Sequence, residues 1–236
     1  MRKILFLYSL ILYVFTAFAF SQEDPFIQAR ERMVERDIIN RGITDERVIE
    51  ALRRVPRHFF VPKDLEKLAY EDTPLPIGYG QTISQPYVVA LMTESLQTKP
   101  GDTILEVGTG SGYQAAILSE MGCKVYTVEI IKALADKARE RLVALGYKDI
   151  FVLWGDGYFG WREYAPFDGI IVTCAVDHIP PPLLEQLKEG GRMVIPVGPP
   201  WSLQSLLVVE KTKEGIVTHD LGAVRFVPLT REKRVQ

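Results

Sequence analysis

The stretch that decides the fold is Thr103–Gly112, which reads TILEVGTGSG. Its first half, Thr103–Val107, is an apolar run typical of a buried strand, and a helical pattern begins at Tyr113. Between them, glycines at 108, 110 and 112 allow positive φ and let the backbone approach a ligand closely. This order of strand, glycine loop and helix predicts the first unit of a doubly wound α/β fold.

Strands and helices alternate downstream of this loop. Such alternation predicts a mainly parallel, Rossmann-like sheet that is covered by helices on both faces. Two further runs, at 206–210 and 224–227, are expected to pair as a hairpin at the end of the chain. The other predicted strands cover 103–107, 124–129, 150–153, 169–173 and 192–197, and the predicted helices cover 113–121, 132–145 and 180–187.

The chain upstream of the loop does not show this alternation of strands and helices. Apolar residues at helical spacing predict a helix within 26–39, and a second helix runs through Arg54 with Thr44 as its N-cap. Prolines and glycines then crowd the segment from Pro56 to Pro86, which predicts a long ordered loop rather than regular structure. A helix over 87–97 follows it. Long ordered loops inside compact domains often carry function.

Residues 1–20 form a separate leader. Met1–Lys3 is basic, Ile4–Phe20 carries no charge, and Ala17–Ala19 has the A-x-A pattern of a cleavage site. At ~1.5 Å per residue the uncharged stretch spans roughly 25 Å, short of a ~30 Å hydrocarbon core, which favours a secretory signal over stable membrane insertion. A membrane anchor and a misassigned start codon are the alternatives. The expected organisation is this leader, a front section at 21–98 and an α/β body at 99–236, the last two forming one compact domain.

Composition excludes several classes of protein. The chain has 236 residues, of which 47% are hydrophobic and 25% charged, values that argue against wholesale disorder. Its 28 basic and 30 acidic residues give a net charge of −2, so nothing predicts binding to duplex nucleic acid. Cys123 and Cys174 lie in apolar contexts and are predicted to be buried free thiols. The spacing of Cys and His residues does not predict a metal site.

The spacing of the glycines indicates which ligand the loop binds. A dinucleotide fingerprint beginning at Gly108 requires glycine at position 113, where this chain has Tyr113. The pattern is instead G-x-G-x-G, and Glu106 lies two residues upstream of it. A carboxylate there suits a cationic ligand better than a pyrophosphate. The loop therefore favours S-adenosylmethionine, which carries an ammonium and a sulfonium, over a dinucleotide.

Two more acidic residues fit the same ligand. Glu129 ends the second predicted strand of the body, where a carboxylate can accept both hydroxyls of a ribose, and Asp156 follows the third strand, where it could contact an adenine edge. Singly, each acid could be a helix cap or a solvated loop charge. Together with Glu106 they predict one adenosyl pocket at the carboxyl ends of three strands. A nucleotide-binding protein without methyl transfer is the alternative.

Several stretches across residues 26–231 resemble one family, the protein-L-isoaspartate O-methyltransferases. The resemblance implies a fold of the class I methyltransferase type and S-adenosylmethionine as methyl donor. It also implies methyl transfer to the free α-carboxylate of isoaspartyl residues in damaged peptides and proteins, which starts their repair. The matching stretches are VPRHFFVP at 55–62, AYED at 69–72, GQTISQP at 80–86, GTGSGY at 108–113, GDG at 155–157, PFD at 166–168, LKEGGR at 187–192 and VPLT at 227–230.

The resemblance also implies roles for individual residues. Ser84 matches the family's active-site serine, and Thr82 and Ile83 precede it in the implied substrate site. The family's tail often has a polar or aromatic residue a few positions after Thr230, whereas here Arg231–Gln236 ends the chain. The implied cofactor-binding residues are Gln85, Pro86, Tyr87, Val88, Gly108, Glu129, Asp156, Gly157 and Thr230, to which the glycine loop adds Glu106, Gly110 and Gly112.

The implied chemistry agrees with the residue types present. An α-carboxylate with a pKa near ~3.5 is already an anion at neutral pH, so its attack on a sulfonium methyl needs no general base. None of the three histidines lies beside a serine or cysteine that it could activate. His58 is predicted to be a packing residue, whereas His178 could reach the ligand crevice. Ser84 is therefore expected to orient the substrate carboxylate and not to act as a nucleophile.

Two other functions remain open on the sequence. A small-molecule methyltransferase would share the fold but enclose its substrate in a closed apolar pocket. A non-catalytic adenosyl-binding module would bind the ligand without turnover. The expected partners are isoaspartyl peptides, and the chain is expected to be a monomer. Resemblance and the supply of donor indicate a cytoplasmic location, whereas the leader at 1–20 indicates export to the periplasm.

Overall fold

The computed structural model describes residues 25–231, so the predicted leader at 1–20 lies outside the described residues. Helix α1 (Ile27–Met33) continues through a π-helical turn at Val34–Ile38 and a 3-10 turn at Ile39–Arg41. Helix α2 covers Glu46–Arg54. The two predicted front helices are thus present, but the predicted N-cap of the second is wrong. Asp45, not Thr44, caps α2, because its side chain accepts a hydrogen bond from the amide of Arg47 at 2.9 Å.

The proline-rich segment is more regular than predicted. Two 3-10 turns, Arg57–Phe60 and Lys63–Leu68, are followed by a two-stranded antiparallel ribbon of β1 (Leu75–Gly78) and β2 (Gln81–Ile83). Proline fixes φ and lacks an amide donor, which suits turns and the edges of a short ribbon. Helix α3 (Pro86–Leu96) follows directly. Ser84 therefore lies between the end of the ribbon and the start of α3.

Between residues 25 and 231, seven strands form one sheet, which confirms the predicted α/β class. The strands are β3 (Thr103–Val107), β4 (Lys124–Glu129), β5 (Ile150–Trp154), β6 (Phe167–Val172), β7 (Leu187–Val197), β8 (Gln204–Thr212) and β9 (Gly215–Val224), and the helices between them are α4 (Tyr113–Glu120), α5 (Lys132–Ala144) and α6 (Pro181–Gln186). Their order in the sheet is β5-β4-β3-β6-β7-β8-β9, with β3 to β7 parallel and the last two strands antiparallel to their neighbours.

One prediction at the end of the sheet is wrong. The last strand is Gly215–Val224 rather than 224–227, because β9 is exposed along nearly its whole length and lacks the apolar pattern of a half-buried strand. The predicted helix at 180–187 is present as Pro181–Gln186, and the strand predicted at 192–197 begins earlier, at Leu187. The predicted run at 206–210 lies within β8.

The order of the strands indicates at which edge of the sheet a ligand would bind. From β3 the chain moves outward through β4 to β5, then returns to the other side of β3 for β6. Ligands bind at such a reversal, at the carboxyl ends of the strands. The front section shares a hydrophobic core with the body, because Val34, Leu52 and Phe60 belong to one buried cluster with Tyr113 and Ile117. The division into 21–98 and 99–236 itself stays a prediction.

Cys123 and Cys174 are buried and free, as predicted. Within residues 25–231, no helix combines the length and the apolar character that crossing a membrane requires. The same part of the chain contains no group of three or more His, Cys, Asp or Glu side chains arranged as a candidate metal site.

Candidate active site

A cleft opens at the carboxyl ends of β3 and β6, where the strand order reverses. The glycine loop, strand β2 with Ser84, and the chain after β9 at 227–230 all line it. We call it the central cleft. The predicted site residues that line it are Thr82, Ile83, Ser84, Glu106, Gly108, Gly110, Glu129, Gly157 and Thr230.

Two glycines keep this cleft open for steric reasons. Gly108 has φ of +98°, and a Cβ there would lie 2.6 Å from Oγ1 of Thr173. That hydroxyl donates a hydrogen bond of 2.7 Å to the Gly108 carbonyl, so it is fixed in place. A Cβ at Gly157 would lie 2.5 Å from Cγ1 of Val107. Both positions therefore require glycine, because neighbouring side chains occupy the space of a Cβ, and both residues line the cleft.

Glu129 is held by backbone amides on both sides. Its Oε2 accepts from the amide of Gly110 at 2.8 Å, and its Oε1 accepts from the amide of Ile131 at 2.9 Å. Burial raises the pKa of Glu129 above its ordinary value, while these amides act in the opposite direction. Each carboxylate oxygen keeps a second lone pair. The fixed pair of oxygens can therefore accept hydrogen bonds from two neighbouring hydroxyls.

Glu106 is an acid without a partner in the wall of the cleft. It lies on β3 between Thr127 of β4 and Ile171 of β6 and is completely buried. Within residues 25–231, neither carboxyl oxygen has a hydrogen-bond partner. Burial raises the pKa of Glu106 to about 8. The neighbouring Thr127 hydroxyl acts in the opposite direction, and a cation bound against the carboxyl would favour its ionised form further.

The position of Ser84 is set by a buried arginine. The side chain of Arg57 donates from Nη2 to the carbonyl oxygen of Ser84 and from Nε to that of Ala69, each at 2.8 Å. Arg57 is fully buried, and this burial lowers the pKa of its guanidinium. The guanidinium also lies 4.9 Å from the ring centre of Tyr113, which follows the glycine loop. The arginine thus ties the serine segment to the first turn of α4.

Asp72 fixes the residues that follow Ser84. Its Oδ1 accepts from the amide of Tyr87 at 2.9 Å, and its Oδ2 accepts from Nε2 of Gln85 at 2.6 Å. Arg41 completes an ion pair with Asp72 at 2.6 Å and stacks on the ring of Tyr87 at 3.4 Å. These contacts explain why AYED at 69–72 and GQTISQP at 80–86 occur together in one chain: the first stretch anchors the second.

Six predicted cofactor-binding residues do not line the central cleft: Gln85, Pro86, Tyr87, Val88, Gly112 and Asp156. Gln85 and Val88 line an adjoining cavity instead. A Cβ at Gly112 would lie 3.2 Å from Leu142, which indicates a packing role. Asp156 caps the turn after β5 by accepting from the amide of Tyr158 at 3.0 Å. Their assignment to the cofactor stays a prediction.

The start of the tail, at Arg231, contacts the loop after β5. Nε of Arg231 lies 3.2 Å from Oδ2 of Asp156, and its guanidinium stacks 3.8 Å from the ring centre of Tyr158. The loop after β5 and the chain after Thr230 therefore contact each other beside the cleft.

His58 and His178 lie in different surroundings, and neither lines the central cleft. His58 is buried, its Nδ1 lies 2.8 Å from the Tyr70 hydroxyl, and it stacks on Phe26, so the predicted packing role is confirmed. His178 lies between Asp177 and Tyr158, at 2.6 and 3.1 Å, and does not line the central cleft.

Two parts of the cleft wall were missed by sequence reasoning. Thr173 follows β6 and holds the glycine loop, as described above. The segment Val227–Leu229 joins the wall through Ala175, whose amide donates to Val227 and whose carbonyl accepts from Leu229, each at 2.8 Å. The VPLT stretch could have indicated this segment, but only Thr230 was assigned from it.

A doubly wound sheet with an acidic residue and a glycine-rich loop at its switch point defines a protein of the class I methyltransferase fold. The family model of protein-L-isoaspartate(D-aspartate) O-methyltransferase (PCMT) matches residues 28–234. The chain belongs to this family, as its motifs predicted.

Relatives and solved structures agree with that assignment. The chain is 56% identical over 218 residues to protein-L-isoaspartate O-methyltransferase 2 of Syntrophobacter fumaroxidans, covering 88% of each chain. It is 53% identical over 233 residues to protein-L-isoaspartate O-methyltransferase of Opitutus terrae, covering 99% of this chain and 100% of the relative. A putative enzyme of this kind from Plasmodium falciparum, solved with S-adenosyl-L-homocysteine, has a TM-score of 0.73 at 27% identity and covers 85% of this chain and 98% of that one.

Proposed function

We propose that this protein transfers a methyl group from S-adenosylmethionine to the free α-carboxylate of L-isoaspartyl residues in peptides and proteins, which starts their repair. The observation that carries the proposal is the position of Ser84. The segment Gln81–Ser84 lines the same cleft as the glycine loop and Glu106. A substrate carboxylate at Ser84 therefore lies beside the place where a methyl donor would bind.

The residues of the cleft fit S-adenosylmethionine. The buried carboxyl of Glu106, which has no partner within residues 25–231, suits the ammonium of the ligand. The paired oxygens of Glu129 suit the two hydroxyls of its ribose, and the backbone of Gly108, which lines the cleft, suits its amino-acid part. On the sequence pattern, Asp156 and Gly157 would lie at the adenine. When bound, the ligand supplies a methyl group that is activated by a positively charged sulfur.

The reaction balances without a proton transfer. A substrate carboxylate oxygen forms a bond to the methyl carbon as the bond from that carbon to sulfur breaks, giving a methyl ester and S-adenosylhomocysteine. The α-carboxyl group has a pKa near ~3.5 and is already ionised, so a general base is not required. The chain contributes orientation: the hydroxyl of Ser84 donates to one carboxylate oxygen and leaves the other free to attack. The backbone of Ser84 is held still by Arg57.

The experiment is a transfer assay with donor labelled in its methyl group and a synthetic isoaspartyl peptide. Wild-type protein should label the peptide, and mild base should release the label as methanol, because the product is an ester. Ser84→Ala should lower kcat at least about tenfold, as expected for one lost orienting hydrogen bond. Ser119→Ala on α4, outside the cleft, is the matched control. Label on a small phenol or amine but not on the peptide would support a small-molecule methyltransferase instead.

The compartment forms part of the proposal. The donor is made in the cytosol, and we place the reaction there with the enzyme acting as a monomer. Export through residues 1–20 is the alternative. Mass spectrometry of the N-terminus of the protein made in its own cells separates them: an intact Met1 agrees with the cytosol, and a start near Ser21 contradicts it.

A further inference from the structure

A second cavity adjoins the central cleft. Thr82, Ser84, Thr173 and Val227 line both spaces, so they share one wall at the serine. We call the second space the side cavity. Its other lining residues include Leu203, Val224 and Arg225.

Among the residues that the structure describes, Arg225 is the only charged one that lines the side cavity. Its side chain is exposed, and within residues 25–231 it has no hydrogen bond or ion pair. The arginines near it in sequence or sheet differ in this respect, because Arg192 pairs with Glu210 and Arg231 with Asp156. The side cavity therefore presents one uncompensated positive charge beside the serine.

A peptide substrate has to occupy more than the central cleft. Its reacting carboxylate lies at Ser84, and the chain continues from the isoaspartyl residue in two directions. The side cavity begins at Ser84 itself and combines apolar walls, at Leu203 and Val224, with the cation of Arg225. This space can accept the residue next to the isoaspartate, with aliphatic carbons against the walls and a carboxylate at the guanidinium.

Arg225 is poorly suited to bind the reacting carboxylate itself. An ion pair there would stabilise the substrate anion, whose negative charge is lost as the ester forms. Stronger binding in the ground state than in the transition state slows the reaction. A neutral donor such as the Ser84 hydroxyl also orients the carboxylate, but it stabilises the ground state less than an ion pair would. The arginine is thus better placed to bind a neighbouring, unreactive anion.

We infer that Arg225 is a specificity-determining residue that binds an acidic side chain adjacent to the isoaspartate in the peptide substrate. This inference rests on the proposed function. An enzyme built this way prefers damaged sites in acidic stretches of sequence. The preference is electrostatic, so it weakens as the salt concentration rises.

The test compares two isoaspartyl peptides that differ only in having Glu or Gln on both sides of the isoaspartate. Wild-type enzyme should show kcat/KM about two- to fivefold higher for the Glu peptide, the range expected of one exposed charge pair. The ratio should approach one in Arg225→Gln and in high salt. Arg162→Gln, which removes an exposed arginine paired with Glu185, should keep the wild-type ratio.

Three results would overturn the inference. The wild type could methylate both peptides equally, Arg225→Gln could keep the preference, or Arg225→Gln could slow both peptides by the same factor, which would place the arginine at the reacting carboxylate. If Arg225→Gln fails to fold, Arg225→Lys must retain the preference, and the salt series on the wild type decides without any variant. If neither peptide is methylated, the proposed function and this inference are both contradicted. If both peptides are methylated equally, only the inference is contradicted.

Discussion

The guanidinium of Arg57 donates a hydrogen bond of 2.8 Å to the carbonyl oxygen of Ser84. The two residues lie near opposite ends of the proline-rich segment, and a second hydrogen bond of 2.8 Å, from Arg57 to Ala69, ties the middle of that segment to the same side chain. The front section therefore fixes the serine against the glycine loop. Its role is to position the substrate segment, while the body forms the cofactor cleft.

Arg57→Lys tests this positioning role. A lysine cannot reproduce the two-armed contact, so one buried carbonyl loses its donor, which costs about 1–3 kcal/mol of stability. We expect kcat to fall at least about tenfold, since a small displacement of Ser84 disturbs orientation. The affinity for S-adenosylhomocysteine, measured by calorimetry, should stay close to that of the wild type. Arg54→Lys, which alters an exposed arginine paired with Glu120, is the control. A loss of ligand affinity equal to the loss of kcat would contradict the positioning role.

Glu106→Gln tests whether the buried Glu106 carboxyl has a raised pKa. Burial raises the pKa of this carboxyl in the folded state from 4.5 to about 8, so between these values the folded protein binds a proton that the unfolded chain releases. The free energy of unfolding of ligand-free protein should therefore decrease as the pH rises through this window. The variant should lose that contribution to the pH dependence, which urea unfolding across the window would measure.

The same variant should bind S-adenosylhomocysteine at least about tenfold more weakly, because the ammonium loses a buried carboxylate. Adenosine lacks the ammonium and should bind both proteins alike. Equal losses of affinity for the two ligands would mean that Glu106 does not face the ammonium.

Gly108→Ala tests the steric reason for the glycine loop. The added methyl would lie 2.6 Å from Oγ1 of Thr173 at a φ of +98°. We expect a loss of about 1–3 kcal/mol in stability together with weaker binding of S-adenosylhomocysteine. Gly146→Ala is a matched control, since its φ is +87° and nothing lies within 4 Å of its Cβ position. It should show the backbone strain alone, with unchanged ligand affinity. Similar affinities in the two variants would contradict a close approach of ligand at Gly108.

The pH dependence of kcat tests the absence of a general base. At saturating donor and isoaspartyl peptide, kcat should vary little between about pH 6 and 8, because the attacking carboxylate is ionised throughout. Initial rates of ester formation across this range would measure it. A rise in kcat that follows a single ionisation near about pH 6.5 would point to a histidine acting as base and contradict the proposed chemistry.

The parts of the fold that were predicted correctly are those determined by residues close together in the sequence. The run TILEV and the glycines after it determine β3 and its loop within ten residues, and the acids Glu106 and Glu129 lie where the strand ends predicted them. Strand β9 was misplaced because its exposed residues carry no periodic pattern. Its pairing is determined by β8, which a local pattern does not reveal.

The missed parts of the site depend on contacts between distant segments. Arg57 and Ser84 are 27 residues apart, and Thr173 reaches the glycine loop from 65 residues away. The position of Glu106 was predictable, but its raised pKa was not, because the burial that causes it comes from strands on both sides. Local sequence patterns therefore identified the residues that meet the ligand better than the residues that hold them in place.

The most direct test of the central claim is methyl transfer to an isoaspartyl peptide and to its twin with a normal aspartyl residue at the same position. The two peptides have the same composition and charge, and they differ in which carboxylate is free. We predict that wild-type protein forms a base-labile methyl ester on the isoaspartyl peptide and not on its twin, and that Ser84→Ala loses most of this activity. Equal labelling of the two peptides, or none on either, would contradict the account.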